Sequence, residues 1–139
     1  MKFNSLIACS VMVGLLLATA PAGAHHSFAA EYDQTKPITL KGTVNKLMWV
    51  NPHAYLYVDV KDETGKVTVW AMELLSPSAL QRQGWNRKSL EVGEAITVEG
   101  FLAKDGKKMF DGSMHGNSRD VIRADGTKVF RGSSLGTGN

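Results

Sequence analysis

Apolar and polar residues alternate along much of this chain, with the period of two that is typical of half-buried β-strands. The clearest run follows His53 and places four apolar side chains on one face: Ala54, Leu56, Val58 and Val60. The residues between them are predicted to face outward: Tyr55, Tyr57, Asp59 and Lys61. A turn signal at residues 62–65 (DETG) then leads into a further strand that starts near Val67.

The first strand is predicted within residues 39–50 (TLKGTVNKLMWV), and its pattern is interrupted. Leu40, Val44 and Met48 share one face, whereas Lys46 breaks the phase. One extra residue in a paired strand produces such a shift, so we expect a β-bulge near Asn45.

One short helix separates the strand patterns. Ser76 is a good N-cap, Pro77 suits the first helical position, and Gly84 is a helix stop. These signals predict a helix over residues 77–83.

The order of the elements predicts a mainly β fold, a five- to six-stranded OB-like β-barrel with one short helix. Alternation resumes at residues 96–102, residues 109–117 (MFDGSMHGN) are expected to form a loop, and residues 121–130 a closing hairpin. Gly42 and Gly100 lie in mid-strand, where a small barrel must bend tightly. A mixed sheet covered by one helix is the alternative architecture.

The N-terminus has the three parts of a secretory signal peptide: Lys2, an apolar run over residues 6–20 and small residues at 22–24. We expect cleavage to remove the signal peptide (residues 1–24) and to leave a periplasmic protein without stable membrane insertion. The mature chain is then divided into an N-terminal arm (residues 25–37), the barrel domain (residues 38–131) and a disordered tail (residues 132–139).

The composition of the mature chain excludes several classes of function. The single cysteine, Cys9, lies in the expected signal peptide, so disulfides and thiolate chemistry are excluded from the mature protein. Cleavage removes one lysine and leaves 15 basic and 13 acidic side chains, a net charge too small to indicate nucleic acid as a partner. The chain contains no phosphate-binding loop, dinucleotide-binding glycine pattern or zinc-protease motif, and we expect no enzyme.

Four segments of the mature chain, HHSFAAEYD, PITLKGTV, WVNPHA and VEGFLAKDG, occur together with Trp70, Glu73 and the Ser76-Pro77 helix start. In this combination the chain resembles a family of small exported bacterial proteins that is known only as a domain of unknown function. The resemblance covers nearly all of residues 25–132. It implies a small β-barrel and an exported location, and it implies no activity.

The histidine pair at the mature start indicates copper chemistry. Cleavage after Ala24 makes His25 the N-terminal residue, so its free amine and its imidazole can chelate one ion. Nitrogen ligands in a planar arrangement suit Cu(II), and an amine pKa of about 8 and an imidazole pKa of about 6.5 keep proton competition mild. His26 is an alternative or axial ligand. His53 is the first candidate for a third nitrogen, with His115 behind it.

Two alternatives stay open for these histidines. Cleavage after Ala22 would place His25 third in the mature chain, where the amine, two backbone amides and the imidazole form a different square-planar chelate. In the other alternative the histidines bind no metal and are ordinary exposed or packed side chains.

The WVNPHA segment is the second candidate site. Trp49, Asn51, His53 and Tyr55 flank the connection between the first two strands, a loop position that OB folds use to bind ligands. In the structural alternative, Asn51 and Pro52 form the turn, Trp49 fills the barrel end and His53 donates a hydrogen bond to a carbonyl.

These features lead to one main hypothesis, an exported and non-enzymatic binding protein that takes up copper through its processed N-terminal histidine. The alternative is a structural, protein-interaction or ligand-binding module of the cell envelope that binds no metal. The expected partner is a metal ion or another envelope protein, and no nucleic acid is expected.

Overall fold

A computed structural model describes residues 28–132 of the chain. The expected signal peptide, His25, His26 and residues 133–139 lie outside the described residues. The elements in chain order are α1 (Phe28–Glu31), β1 (Tyr32–Met48), β2 (Tyr55–Lys61), β3 (Val67–Glu73), α2 (Pro77–Arg82), β4 (Ala95–Ala103), a 3₁₀ turn (Lys104–Gly106), β5 (Met114–Arg123) and β6 (Lys128–Arg131). None of the helices in the described range is long and apolar enough to cross a membrane.

Five strands close into a barrel. β1 pairs antiparallel with β2 on one side and with β4 on the other, and these continue to β3 and β5. β3 and β5 then pair in parallel, which joins the two edges of the sheet, and β6 adds to β5 as an extra strand. The expected mainly β, OB-like barrel of five to six strands is confirmed, and α1 is a second short helix that the pattern did not predict.

The local signals at the helix and the bulge are also confirmed. The Ser76 hydroxyl accepts a hydrogen bond from the backbone N–H of Ala79, and Pro77 begins α2, which ends one residue before the expected Gln83. The register of β1 against β2 shifts between Val44 and Lys46, where the change of phase predicted a bulge.

The first and the fifth strand both begin earlier in the sequence than predicted. The N-terminal arm was expected to reach residue 37, but β1 begins at Tyr32, which pairs with Ala103 of β4. The register then shifts between Asp33 and Pro37, so the polar residues there do not alternate as a strand usually does. The expected loop over residues 109–117 is likewise shorter, because its last four residues belong to β5 and pair with β3, a long-range contact without a local signal.

The barrel interior is filled by side chains that lie on the inner faces of the strands: Leu40, Val44, Leu56, Val58, Met72, Ile96, Val98 and Val121. Trp85, which follows α2, donates its indole N–H to the Val129 carbonyl at 2.9 Å and packs edge-on against Phe130. Tyr57, which was predicted to face outward, alternates with the core residues Leu56 and Val58 and lies outside the core cluster. It is nevertheless covered: its residue surface is only 3 % exposed, and the Lys46 ammonium lies 4.1 Å from the centre of its ring.

The glycines in mid-strand lie where backbones approach closely. A Cβ atom on Gly42 would lie 2.2 Å from the Asp59 carbonyl oxygen, and one on Gly100 would lie 1.7 Å from the Asn117 carbonyl oxygen. Both contacts are with backbone atoms, which no side-chain rotation can relieve.

We therefore expect Gly100→Ala to lower the free energy of unfolding by about 3 kcal/mol or more, because strands β4 and β5 must separate locally. Gly126→Ala is the matched control, since a Cβ there meets nothing within 4 Å and only the positive φ of 86° is unfavourable. That control should cost about 1 kcal/mol. Urea denaturation measures both values, and equal losses would contradict the steric explanation.

Candidate metal centre

Six side chains that carry acid, imidazole or phenol groups meet beside the β3–β5 pairing. They come from α1, the start of β1, the β1–β2 loop, β2, β3 and β5. We call this group the acid–histidine cluster: Glu31, Tyr32, His53, Tyr55, Glu73 and His115. Strand register brings its members together, because Tyr55 pairs with Glu73 across β2 and β3 and Ala71 pairs with His115 across β3 and β5.

Glu73 is the centre of the cluster. Its Oε2 accepts a hydrogen bond from the Tyr32 hydroxyl at 2.5 Å and a longer one from the Tyr55 hydroxyl at 3.4 Å. Its Oε1 lies 3.3 Å from His53 Nδ1. Burial raises the pKa of Glu73, and the Tyr32 hydrogen bond and the nearby His53 offset only part of that effect.

Tyr32 links Glu73 to His115, with its hydroxyl 2.9 Å from His115 Nε2. A phenol has a single proton, and Tyr32 donates it to Glu73, so Nε2 of His115 must carry a proton and donate to the phenol oxygen. Burial lowers the pKa of His115, which keeps the ring neutral at pH 7. The Nδ1 lone pair is therefore left buried, and no group within residues 28–132 forms a hydrogen bond with it.

His53 has the opposite tautomer. Its Nδ1 lies 3.1 Å from the Leu74 carbonyl oxygen, which can only accept, so Nδ1 carries the proton. In the neutral ring the lone pair is then on Nε2, and the side chain is 37 % exposed. A histidine that donates one ring N–H to a carbonyl and a carboxylate is oriented in the way that metal-binding histidines usually are.

Three members of the cluster lie close to the separation that a metal site requires. One carboxylate oxygen each of Glu31 and Glu73 and one ring nitrogen of His115 all lie within 4.8 Å of one another. Imidazole and carboxylate ligands bind zinc and copper at about 2.0–2.2 Å, so ligand atoms around one ion lie up to about 4.4 Å apart. Small side-chain shifts would bring the three into that range.

Glu31 is held in place by the packing of α1 on the barrel. The Phe28 ring lies 5.1 Å from the Tyr32 ring and 5.9 Å, edge to face, from the Phe101 ring. The Lys104 ammonium donates a hydrogen bond to the Ala29 carbonyl oxygen. The first described residues of the chain, Phe28–Glu31, therefore lie directly at the acid–histidine cluster.

The structure brings together three of the residues that the sequence singled out, His53, Tyr55 and His115. Trp49 packs against the hydrophobic core and Asn51 is exposed in the loop, and both lie apart from the contacts that define the cluster. His25 and His26 lie outside the described residues. Sequence reasoning did not identify three cluster members as site residues and noted them only among the residues of the family resemblance: Glu31, Tyr32 and Glu73.

A family model matches residues 13–112 of the chain, which is more than half of its length. The chain belongs to a family of unknown function, DUF6152. The resemblance to a domain of unknown function is thereby confirmed. The DUF6152 match contains every member of the acid–histidine cluster except His115, which lies three residues beyond its end. A comparison with curated proteins gave no match.

Tyr32→Phe should destabilise the metal-free protein by about 2 kcal/mol, because it leaves a buried Glu73 oxygen and a buried His115 nitrogen without their partner. Tyr55→Phe is the matched control. It removes only a 3.4 Å contact from a half-buried side chain and should cost less than about 1 kcal/mol. Denaturant unfolding in the presence of EDTA measures both variants, and a larger loss in Tyr55→Phe would contradict this account of the network.

The raised pKa of Glu73 predicts a pH dependence of stability. Above the usual value of 4.5 an unfolded chain has released this proton while the folded protein still holds it, so the folded state binds more protons. The stability of the wild type relative to Glu73→Gln should therefore fall as the pH rises from 4.5 through the folded pKa. Unfolding of both proteins between pH 4.5 and 8, with EDTA, measures the difference. Glu63→Gln, in an exposed turn, is the control, and a difference that grows in favour of the wild type would overturn the assignment.

Proposed function

We propose that this protein is an exported, non-catalytic binding protein that holds one Cu(II) ion between its processed N-terminus and the acid–histidine cluster. The observation that carries the proposal is the approach of Glu31, Glu73 and His115, whose ligand atoms lie within 4.8 Å of one another. Glu73 and His115 are buried, so the arrangement differs from the scattered exposed carboxylates of an ordinary protein surface.

The electrostatics of the cluster favour a cation. Glu73 is 5 % exposed, and in the described part of the chain its ion-pair partner is His53, a histidine rather than a lysine or arginine. A buried carboxylate is costly unless an opposite charge compensates it. A metal ion supplies that charge and also uses an imidazole lone pair, which His115 offers in its neutral form.

The nitrogen ligands of the N-terminus can reach this place. Chain spacing is at most about 3.6 Å per residue, so a chain that starts at His25 begins within about 11 Å of Phe28. Phe28 itself packs against Tyr32 of the cluster. The amine and imidazole of His25 would form the chelate, with His26 as an alternative or axial ligand. Nε2 of His53 and the ring of His115 are the nitrogens available across the barrel.

The large share of nitrogen atoms among the proposed ligands is the reason that we propose copper rather than zinc. Carboxylates and one imidazole alone would also suit zinc, whereas an amine with two or three imidazoles favours Cu(II) over the other divalent ions of the first row. The role of the carboxylates is then to neutralise the charge of the ion and to complete its coordination.

The test is a Cu(II) titration of protein purified from the periplasm, with its first residue verified by intact mass. We expect one equivalent bound, with nitrogen hyperfine coupling in the electron paramagnetic resonance spectrum. A form extended by one N-terminal Met and the Glu73→Gln variant should each bind about tenfold or more weakly. Glu63→Gln is the matched control for the charge change and should bind as the wild type does.

The outcomes separate the parts of the proposal. Equal affinity of the processed and Met-extended forms would overturn the role of the free amine. Loss of binding in His53→Ala would support the cross-barrel ligand, and full affinity in that variant would remove it. No binding by the processed protein, or equal binding by all variants, would overturn the metal site and leave the cluster as a hydrogen-bond network that holds α1 on the barrel.

A further inference from the structure

A cleft of about 510 Å³ lies near the acid–histidine cluster but has a different lining. Its walls come from the bulge in β1, from β2 and the start of β3, and from the loop between β4 and β5. Tyr57 lines the cleft, and it follows Tyr55 of the cluster by two residues on the same side of β2. We propose that this cleft binds a small organic anion, with a phosphate or carboxylate head and an apolar body.

Lysines from three separate segments of the chain line the cleft. Lys46 follows the bulge, Lys66 precedes β3, and Lys108 belongs to the β4–β5 loop. Among the described residues, none of these three ammonium groups lies within 4.0 Å of a carboxylate oxygen. None of the three is therefore held in a close ion pair there, although the charge of Lys46 also acts on Asp111.

The one acidic residue that lines the cleft is Asp111, and it is engaged within its own turn. Its Oδ1 accepts hydrogen bonds from the Ser113 backbone N–H at 3.0 Å and from the Ser113 hydroxyl at 2.6 Å. A hydrogen bond from Tyr57 and the charge of Lys46 also lower the pKa of this carboxyl, so Asp111 offsets part of the positive charge of the lining. The lining keeps a formal charge of +2, which favours anions.

The bulge in β1 determines the position of Lys46 at the cleft. Because the register shifts between Val44 and Lys46, Lys46 is paired with Tyr57, and its ammonium lies over the Tyr57 ring at 4.1 Å. The preceding residue, Asn45, donates its amide to both oxygens of Asp59 at 3.0 and 3.1 Å. That contact fixes the backbone of the bulge and occupies the one nearby acid on β2.

The cleft also has an apolar wall, which is why we propose an organic anion rather than a bare inorganic one. Val67 is 52 % exposed although it begins a strand, and Val69 and Met114 line the same wall. An apolar ligand body would remove this surface from water while the lysines hold the anionic head. The proposal does not depend on metal binding at the acid–histidine cluster.

The experiment is a nuclear magnetic resonance titration of the ¹⁵N-labelled processed protein at low ionic strength, in EDTA. Phenyl phosphate is the probe, phenol lacks its anionic head, and inorganic phosphate lacks its apolar body. Benzene-1,3-dicarboxylate distinguishes a carboxylate ligand from a phosphate ligand. We expect saturable amide shifts at Thr68, Gly112 and Ser113, the tightest binding for one of the two organic anions, and weaker binding as salt is added.

Lys46→Gln and Lys66→Gln should each weaken binding of the organic anion about tenfold, because each removes one charged donor. Lys88→Gln is the matched control, an exposed lysine outside the cleft, and should bind as the wild type does. The dispersed spectrum of each variant verifies that it is folded. Absence of saturable shifts, equal binding of phenol, or an equal loss in Lys88→Gln would overturn the proposal.

Discussion

The parallel pairing of Trp70–Glu73 with Met114–Asn117 is the contact on which the rest of the structure depends. Without it the sheet would end in two open edges at β3 and β5, and its apolar face would have no enclosed interior. The same pairing places Glu73 and His115 on neighbouring strands, so one set of backbone hydrogen bonds closes the barrel and assembles the centre of the acid–histidine cluster. The closure of the barrel and the assembly of the candidate site therefore depend on the same strand pairing.

Glycines of β4 and β5 lie next to this pairing, at places where the two strands approach closely. Gly100 passes the Asn117 carbonyl so closely that a Cβ would overlap it, and a Cβ on Gly116 would lie 2.9 Å from the Phe101 carbonyl oxygen. These glycines let three strands approach where the barrel is tightest. The cluster lies beside this close approach, and three of its members, Tyr32, Glu73 and His115, are buried. Burial there raises the pKa of Glu73 and lowers that of His115, so in both groups it disfavours the charged form.

Sequence reasoning succeeded where the signal was local. The alternation in β2, the Ser76-Pro77 helix start and the phase change at Asn45 each lie within a few residues, and each predicted its element. The start of β1 and the first residues of β5 have no such periodicity, because they become strands only through pairing with distant partners. Glu31, Tyr32 and Glu73 were missed for the same reason. The hydrogen bonds of Tyr32 join residues that are 41 and 83 positions apart in the sequence. Contacts at such separations do not affect the local alternation of apolar and polar residues.

The order in which the chain is synthesised gives the cluster a further property. Glu31 and Tyr32 are among the first residues of the folded domain to be made, and His115 is among the last. A nascent chain or a fragment that stops before β5 holds Glu31, Tyr32, His53 and Glu73 but has neither the His115 imidazole nor the pairing that closes the barrel. The complete acid–histidine cluster therefore exists only in the finished domain, after β5 has paired with β3.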